Sequence, residues 1–149
     1  MTISDLILRT AVEADAAALT ALYLRSRTAA MPWLVSPYNA AETLSWMQYV
    51  VVAEQRVWVA QRDARLLGFA SVDREWLESL YVDPESQGAG VGRALLEVVK
   101  QASPNGLALH VFTRNARARR FYEAAGFTLV ESGDGSGNEE REPDCTYRW

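Results

Sequence analysis

Between Gln87 and Arg93 the chain reads Gln-Gly-Ala-Gly-Val-Gly-Arg, placed after an apolar run from Leu77 to Val82 and before helical spacing at Ala94, Leu95, Val98 and Val99. A strand, glycine loop and helix in that order turn successive backbone N–H groups toward one point at the positive end of a helix dipole. The groups here belong to Gln87, Gly88, Ala89, Gly90, Val91, Gly92 and Arg93, and glycine lets a phosphate approach the backbone closely. Spacing narrows the ligand. A dinucleotide fingerprint starting at Gly88 needs glycine or alanine where Arg93 stands, and a P-loop needs Lys then Ser or Thr where Arg93 and Ala94 stand. Two readings of the loop remain, a phosphate cradle of another kind and a glycine turn that lets a helix pack tightly.

Other residues carry chemistry of their own. Glu78, four residues before Val82, is a carboxylate in an apolar strand, where desolvation raises proton affinity; a solvated strand edge is the alternative. His110, the only histidine, sits among Leu109 and Val111, as a structural residue or a reserve base. Tyr122 recurs with Ala118, Phe121 and Ala125 at helical spacing, which suits a core residue with its hydroxyl at the rim. Asn115 stands where a helix N-cap belongs. Arg114, Arg117, Arg119 and Arg120 crowd the same helix start, as a solvated face or as a positive patch on an acidic chain.

The elements that must position these residues follow from periodicity. Leu6 to Leu8 read as a strand and Glu13 to Ala30 as an amphipathic helix. After the break at Met31-Pro32-Trp33, a second helix carries Leu44, Met47 and Val51. Val57 to Ala60, Leu66 to Val72 and Leu77 to Val82 predict three antiparallel strands joined by short turns. Leu107 to Thr113 predicts a strand parallel to the one before the glycine loop, because a helical crossover joins them. A helix from Asn115 to Ala125, stopped by Gly126, precedes closing strands at Phe127 to Val130 and Thr146 to Trp149.

Composition sets the frame. The 149 residues are 49% hydrophobic and 23% charged, which predicts one globular domain over 1–149. A net charge of -4 gives no field to attract nucleic acid or an anionic membrane. One cysteine, Cys145, and one histidine cannot make a disulfide framework or a Cys/His metal cluster, so no metal is expected. No run reaches about 18 apolar residues and MTISDLILRT lacks the regions of a signal peptide, which predicts a cytoplasmic protein. A hydrolase is excluded by the absence of a Gly-x-Ser-x-Gly elbow and of a histidine after Ser136.

The segment Leu77-Glu78-Ser79-Leu80-Tyr81-Val82-Asp83-Pro84, followed by Gln87-Gly88-Ala89-Gly90-Val91-Gly92 and Leu95-Leu96, closely resembles the acetyl-CoA motif of the GNAT N-acetyltransferases. Asn115 to Phe127 resembles that family's second motif, and the likeness covers residues 5 to 149. The resemblance implies an α/β (α+β) GNAT fold: a mixed sheet of six to seven strands, about four helices, and splayed parallel strands forming the acetyl-CoA cleft. It implies acetyl-CoA as cosubstrate, its pyrophosphate on the amides of Gln87 through Arg93 and its pantetheine arm on the backbone around Leu80, Tyr81 and Val82. It further implies Asn115 as a contact to that arm, Tyr122 as proton donor to the departing thiolate and Glu78 as general base. The acceptor implied is a primary amine of a small molecule or peptide, admitted between Ala30 to Asn39 and Gly133 to Asp144. There Met31, Trp33 and Tyr38 offer an apolar wall, and the acidic run from Asn138 to Asp144 suits a cation. A homodimer through the edge strands follows by analogy alone. A non-catalytic acyl-CoA binding or sensing module would keep the loop without needing Tyr122 and Glu78 together.

Overall fold

The computed structural model describes residues 5–149; the first four residues of the domain expected over 1–149 lie outside the described residues. Strands β1 (Ile7–Thr10), β2 (Arg56–Arg62), β3 (Arg65–Asp73) and β4 (Trp76–Val82) form an antiparallel meander. With β5 (Ala108–Phe112), β6 (Thr128–Gly133) and β7 (Asp144–Arg148) they make one seven-stranded sheet in the order β1-β2-β3-β4-β5-β7-β6. The fold class expected from the sequence is the one observed. Among the described residues no helix is long and apolar enough to cross a membrane.

Two helical layers cover the sheet. On one face, α1 (Ala16–Ala30) follows a 3-10 turn at Glu13–Asp15, and α2 (Ala40–Trp46) continues as a π-helical segment, Met47–Val52. Leu19, Leu22, Met47 and Val51 bury against Val59 and Phe69 there. Asn39 and Glu42 start α2 by exchanging hydrogen bonds of 2.8 and 3.0 Å with each other's backbone N–H, a reciprocal cap worth about 1 kcal/mol. On the other face, α3 (Val91–Gln101) buries Val91, Leu95, Leu96 and Val99 at helical spacing, and α4 (Ala116–Ala124) lays Ala118, Phe121 and Tyr122 against the same core.

The feature that shapes the site lies in β4. Ser79 faces Ser71 and Leu77 faces Val72, so Glu78 is an extra residue with no counterpart on β3. Such a bulge bends its strand and increases the local twist. Leu77 before the bulge and Leu80 and Val82 after it pack into the same core, which strict alternation along a strand would forbid. Pairing between β4 and β5 is accordingly confined to one end: Trp76 lies opposite Ala108, whose N–H donates to the Glu75 carbonyl at 2.8 Å. Beyond that point the parallel strands part.

The helix α3 crosses β3 at Gly68, where a Cβ would stand 2.9 Å from the Tyr81 carbonyl and 3.1 Å from the side chains of Leu95 and Val91. Gly68→Ala should therefore force β4 or α3 to shift, at a cost of about 1 to 3 kcal/mol. Thermal melting should show Tm lower by roughly 3 to 10 °C, and an unchanged Tm would mean that the layers hold more space than this packing implies.

Candidate functional site

The loop after β4 is anchored before it turns. Asp83 is buried, and its carboxylate accepts the Glu85 N–H at 3.0 Å while pairing with Arg25 at 2.9 Å and Arg65 at 3.2 Å. Burial alone would raise its pKa; the Glu85 N–H and the two guanidiniums outweigh that and hold it below the usual carboxylate range. Gly88 and Gly90 then adopt φ of +80° and +85°, in the left-handed region where L side chains are strained. Gly90 precedes α3 with no side chain capping the helix, so the first-turn N–H groups of Val91, Gly92 and Arg93 have no partner within it. The Ala89 N–H donates to the Ser86 carbonyl at 3.3 Å, which takes it out of the set of amides expected to share the cradle.

These amides open on a cavity of about 430 Å³ between the parted strands. The loop from Ser86 to Arg93, apart from Ala89, makes one wall, and Leu80, Tyr81 and Val82 make the second. The start of α4 supplies Asn115, Arg117, Ala118, Phe121 and Tyr122, and the end of α1 adds Ser26, Ala30 and Met31. Tyr81 pairs with Phe69 and the Asp83 N–H donates to the Leu67 carbonyl at 2.8 Å, so by alternation Leu80 and Val82 direct their backbone groups to the parted side. The Val82 carbonyl is already engaged by Ser26 Oγ at 2.9 Å and Gln87 Nε2 at 3.1 Å. What the strand edge still offers is the Leu80 backbone and the Val82 N–H.

Tyr122 is half-buried, edge-on to Phe121 and Phe127 at 5.3 and 5.6 Å between ring centroids. Burial pushes its pKa up, and no described residue hydrogen-bonds its hydroxyl, so the cavity is bordered by a phenol that keeps its proton. Asn115 is the N-cap of α4, accepting the Ala118 N–H at 3.2 Å, while it also lines the cavity. The four arginines separate by role. Arg117 joins Arg93 at the cavity, Arg119 holds the Tyr147 hydroxyl at 3.0 Å, Arg114 lies 4.3 Å from the Trp33 ring centroid, and Arg120 is exposed.

Glu78 does not line this cavity; it stands on the exposed sheet face next to it, and partial burial followed by the nearby Asp73 raise its pKa against a smaller opposing effect of His110. On the side expected to admit the acceptor, a second, open hollow of about 500 Å³ lies between Pro37 and Tyr38 on the α1–α2 connector and residues Ser136 to Glu139 and Arg141 of the β6–β7 loop. The β6–β7 loop is tied to three elements around it: Tyr38 on the connector donates to Glu139 at 2.6 Å, Arg27 of α1 pairs with Glu140 at 3.1 Å, and Arg114 before α4 pairs with Glu142 at 3.5 Å. Of the expected apolar wall, Met31 belongs to the first cavity, Trp33 packs edge-on to Phe112 at 6.2 Å, and Tyr38 is exposed. Ser26 reaches the cavity without any local motif to announce it.

The family described as an acetyltransferase (GNAT) domain matches residues 53–129. Peptidyl-lysine N-acetyltransferase YiaC of Escherichia coli strain K12 is 31% identical over 126 residues, covering 84% of this chain and 85% of that protein. Peptidyl-lysine N-acetyltransferase YjaB of Salmonella typhimurium strain LT2 is 31% identical over 113 residues, covering 75% and 76%. The solution structure of apo YjaB from Escherichia coli superposes with a TM-score of 0.79 at 24% identity over 97% of each chain. That of yncA from Salmonella typhimurium, solved with its cofactor acetyl-CoA, gives 0.72 at 24% identity over 97% of this chain and 92% of that one. The chain belongs to the GNAT acetyltransferase family and is an acyltransferase.

The anchor at Asp83 is open to a direct check. Because its pKa is lowered in the folded state, its contribution is complete above the unfolded value near about 4 and is lost as pH falls through the folded value. Asp83→Asn should lower Tm near neutral pH, and the gap to the parent should close as both are taken below about pH 4. A gap that stays constant across that range would remove the ion pairs as its origin.

Proposed function

We propose that this chain transfers the acetyl group of acetyl-CoA directly to the primary amine of a lysine side chain in a peptide or protein. The observation that carries the reading is the single cavity bordered at once by the glycine loop, the unpaired edge at Leu80 and Val82, and Tyr122. The relatives named as peptidyl-lysine N-acetyltransferases support the choice of a lysine over other amines.

The residues present fit the cosubstrate: two left-handed glycines, an uncapped helix start and the cations of Arg93 and Arg117 converge where a pyrophosphate would sit. Bound acetyl-CoA supplies a thioester whose acyl carbon an amine can attack. The Leu80 backbone and the Val82 N–H would hold the pantetheine arm as an added strand, and an N–H on this edge can stabilise the oxyanion that develops on attack. Glu78 takes a proton from the acceptor ammonium, since only the neutral amine is nucleophilic. Tyr122, kept protonated by burial, donates to the departing thiolate. Asn115 positions α4, and with it Tyr122, by capping the helix.

The deciding experiment incubates the protein with acetyl-CoA and lysine-containing peptides, with polyamines and aminoglycosides alongside, and locates the acetyl group by mass spectrometry. Acetylation confined to small amines would overturn the lysine reading. Tyr122→Phe should keep its fold and its affinity for coenzyme A yet lose about 10² to 10⁴-fold in kcat. Full turnover in a folded Phe variant would remove Tyr122 as the acid, and a large fall in Tm would return it to packing. For Glu78 the raised pKa puts the acidic limb of kcat/KM above the ordinary glutamate value of about 4.3, and Glu78→Gln should abolish that limb.

A further inference from the structure

The one parallel contact between β4 and β5 fixes a register with a chemical consequence. Trp76 lies opposite Ala108, and two residues further along each strand come Glu78 and His110, just past the last paired residues and close enough for the His110 ring to act electrostatically on Glu78. His110 is exposed on the face opposite Leu109 and Val111, which are buried against α3 and α4. Its ring is fixed from two sides. It stacks on Trp76 at 4.6 Å with 20° between the planes, and Nδ1 lies 3.0 Å from Thr146 Oγ1 on β7. Nε2 has no hydrogen-bond partner among the described residues.

We propose that His110 is a proton-relay residue for Glu78, with Thr146 and Trp76 as positioning residues that hold its ring with Nδ1–H donated to Thr146 and the Nε2 lone pair free. The inference rests on the reading of Glu78 as base. The acceptor ammonium gives its proton to the Glu78 carboxylate and becomes the neutral amine. The Glu78 carboxyl then passes that proton to His110 Nε2, directly or through a water, and is a carboxylate again. The imidazolium finally releases a proton to solvent from Nε2, while Nδ1–H remains on Thr146. No ring flip is needed, because the nitrogen that receives the proton is also the one that gives it up.

Charged groups stand on the strands around the ring. Glu78 flanks the ring from β4, and Asp73 on β3 pairs with Trp76 and so shares its face. From β6, Glu131 stands opposite Thr146, while the Arg148 guanidinium on β7 lies 6.0 Å from the Trp76 ring.

Because His110 is the only histidine in the chain, its ring nitrogens give unambiguous 1H–15N signals that need no acceptor. In its neutral form the ring should carry its proton on Nδ1, and Thr146→Val should let the Nε2–H form appear. A parent protein with Nε2–H as its main form would overturn the proposal. Kinetics supply a second arm, with acetyl-CoA and a lysine peptide as substrates. His110→Ala should lose at least about tenfold in kcat with unchanged coenzyme A affinity, and added imidazole should restore part of it. Glu78→Gln should lose turnover that imidazole does not restore. If Glu78→Gln loses its acidic limb while His110→Ala turns over normally or is not rescued, the relay fails and the base reading stands. If Glu78→Gln keeps the parental rate and profile, the base reading fails and the relay with it.

Discussion

One extra residue in one strand governs this molecule. With Glu78 bulged out of the β3–β4 ladder, β4 turns away from β5 just past Trp76, and the hydrogen-bonding groups that would have joined two parallel strands are left facing a gap. Unpaired backbone groups in an interior are costly, about 1 to 3 kcal/mol each when buried and unsatisfied. Here that edge borders an open cavity rather than a sealed core, and Ser26 and Gln87 satisfy the Val82 carbonyl at its glycine-loop end. The strain of interrupting a sheet is thus turned into a strand-shaped vacancy of defined polarity, bordered on one side by a helix start.

The remaining elements are arranged around that vacancy. Asp83 ends β4 and ties its last residue to α1 through Arg25 and to β3 through Arg65, so the loop that follows begins from a fixed point. Gly68 lets α3 sit close enough to β3 for its uncapped first turn to face the gap. α4 is pinned from behind by Tyr147, whose hydroxyl donates to Glu123 at 2.5 Å and accepts from Arg119, and that grip sets the position of Tyr122 on the helix. Dispersed, individually modest contacts hold the site's walls.

Much of this was legible in the chain. The order of strands and helices, the glycine loop and the N-cap at Asn115 all follow from local spacing, because each depends on residues within about a turn or a strand of one another. The ends of the closing strands were less so: the sequence predicts Phe127 to Val130 and Thr146 to Trp149, whereas β6 runs on to Gly133 and β7 starts at Asp144, since pairing between them extends past the apolar residues. The bulge left a trace that periodicity could have caught. Leucines at 77 and 80 with a valine at 82 break the period of two, and a polar Ser79 sits where an unbroken strand would carry the next core residue. Ser26 and the pairing of Arg27 with Glu140 left none, because they join residues more than fifty positions from their partners. The stacking of Trp76 on His110 depends on register between strands, which no single segment encodes.

The two sides of the site are built from different materials. One wall of the cleft is backbone: amides, a strand edge and glycine dihedrals, features that many sequences can specify and few point substitutions can subtly retune. Around the β6–β7 loop the ties are side chains, Tyr38 to Glu139, Arg27 to Glu140 and Arg114 to Glu142, set on segments outside the sheet. None of these exchanges removes a hydrogen bond of the sheet. A lineage carrying this scaffold can therefore change what approaches the cleft through a few codons in one hairpin, while what the cleft itself holds stays fixed by the path of the main chain.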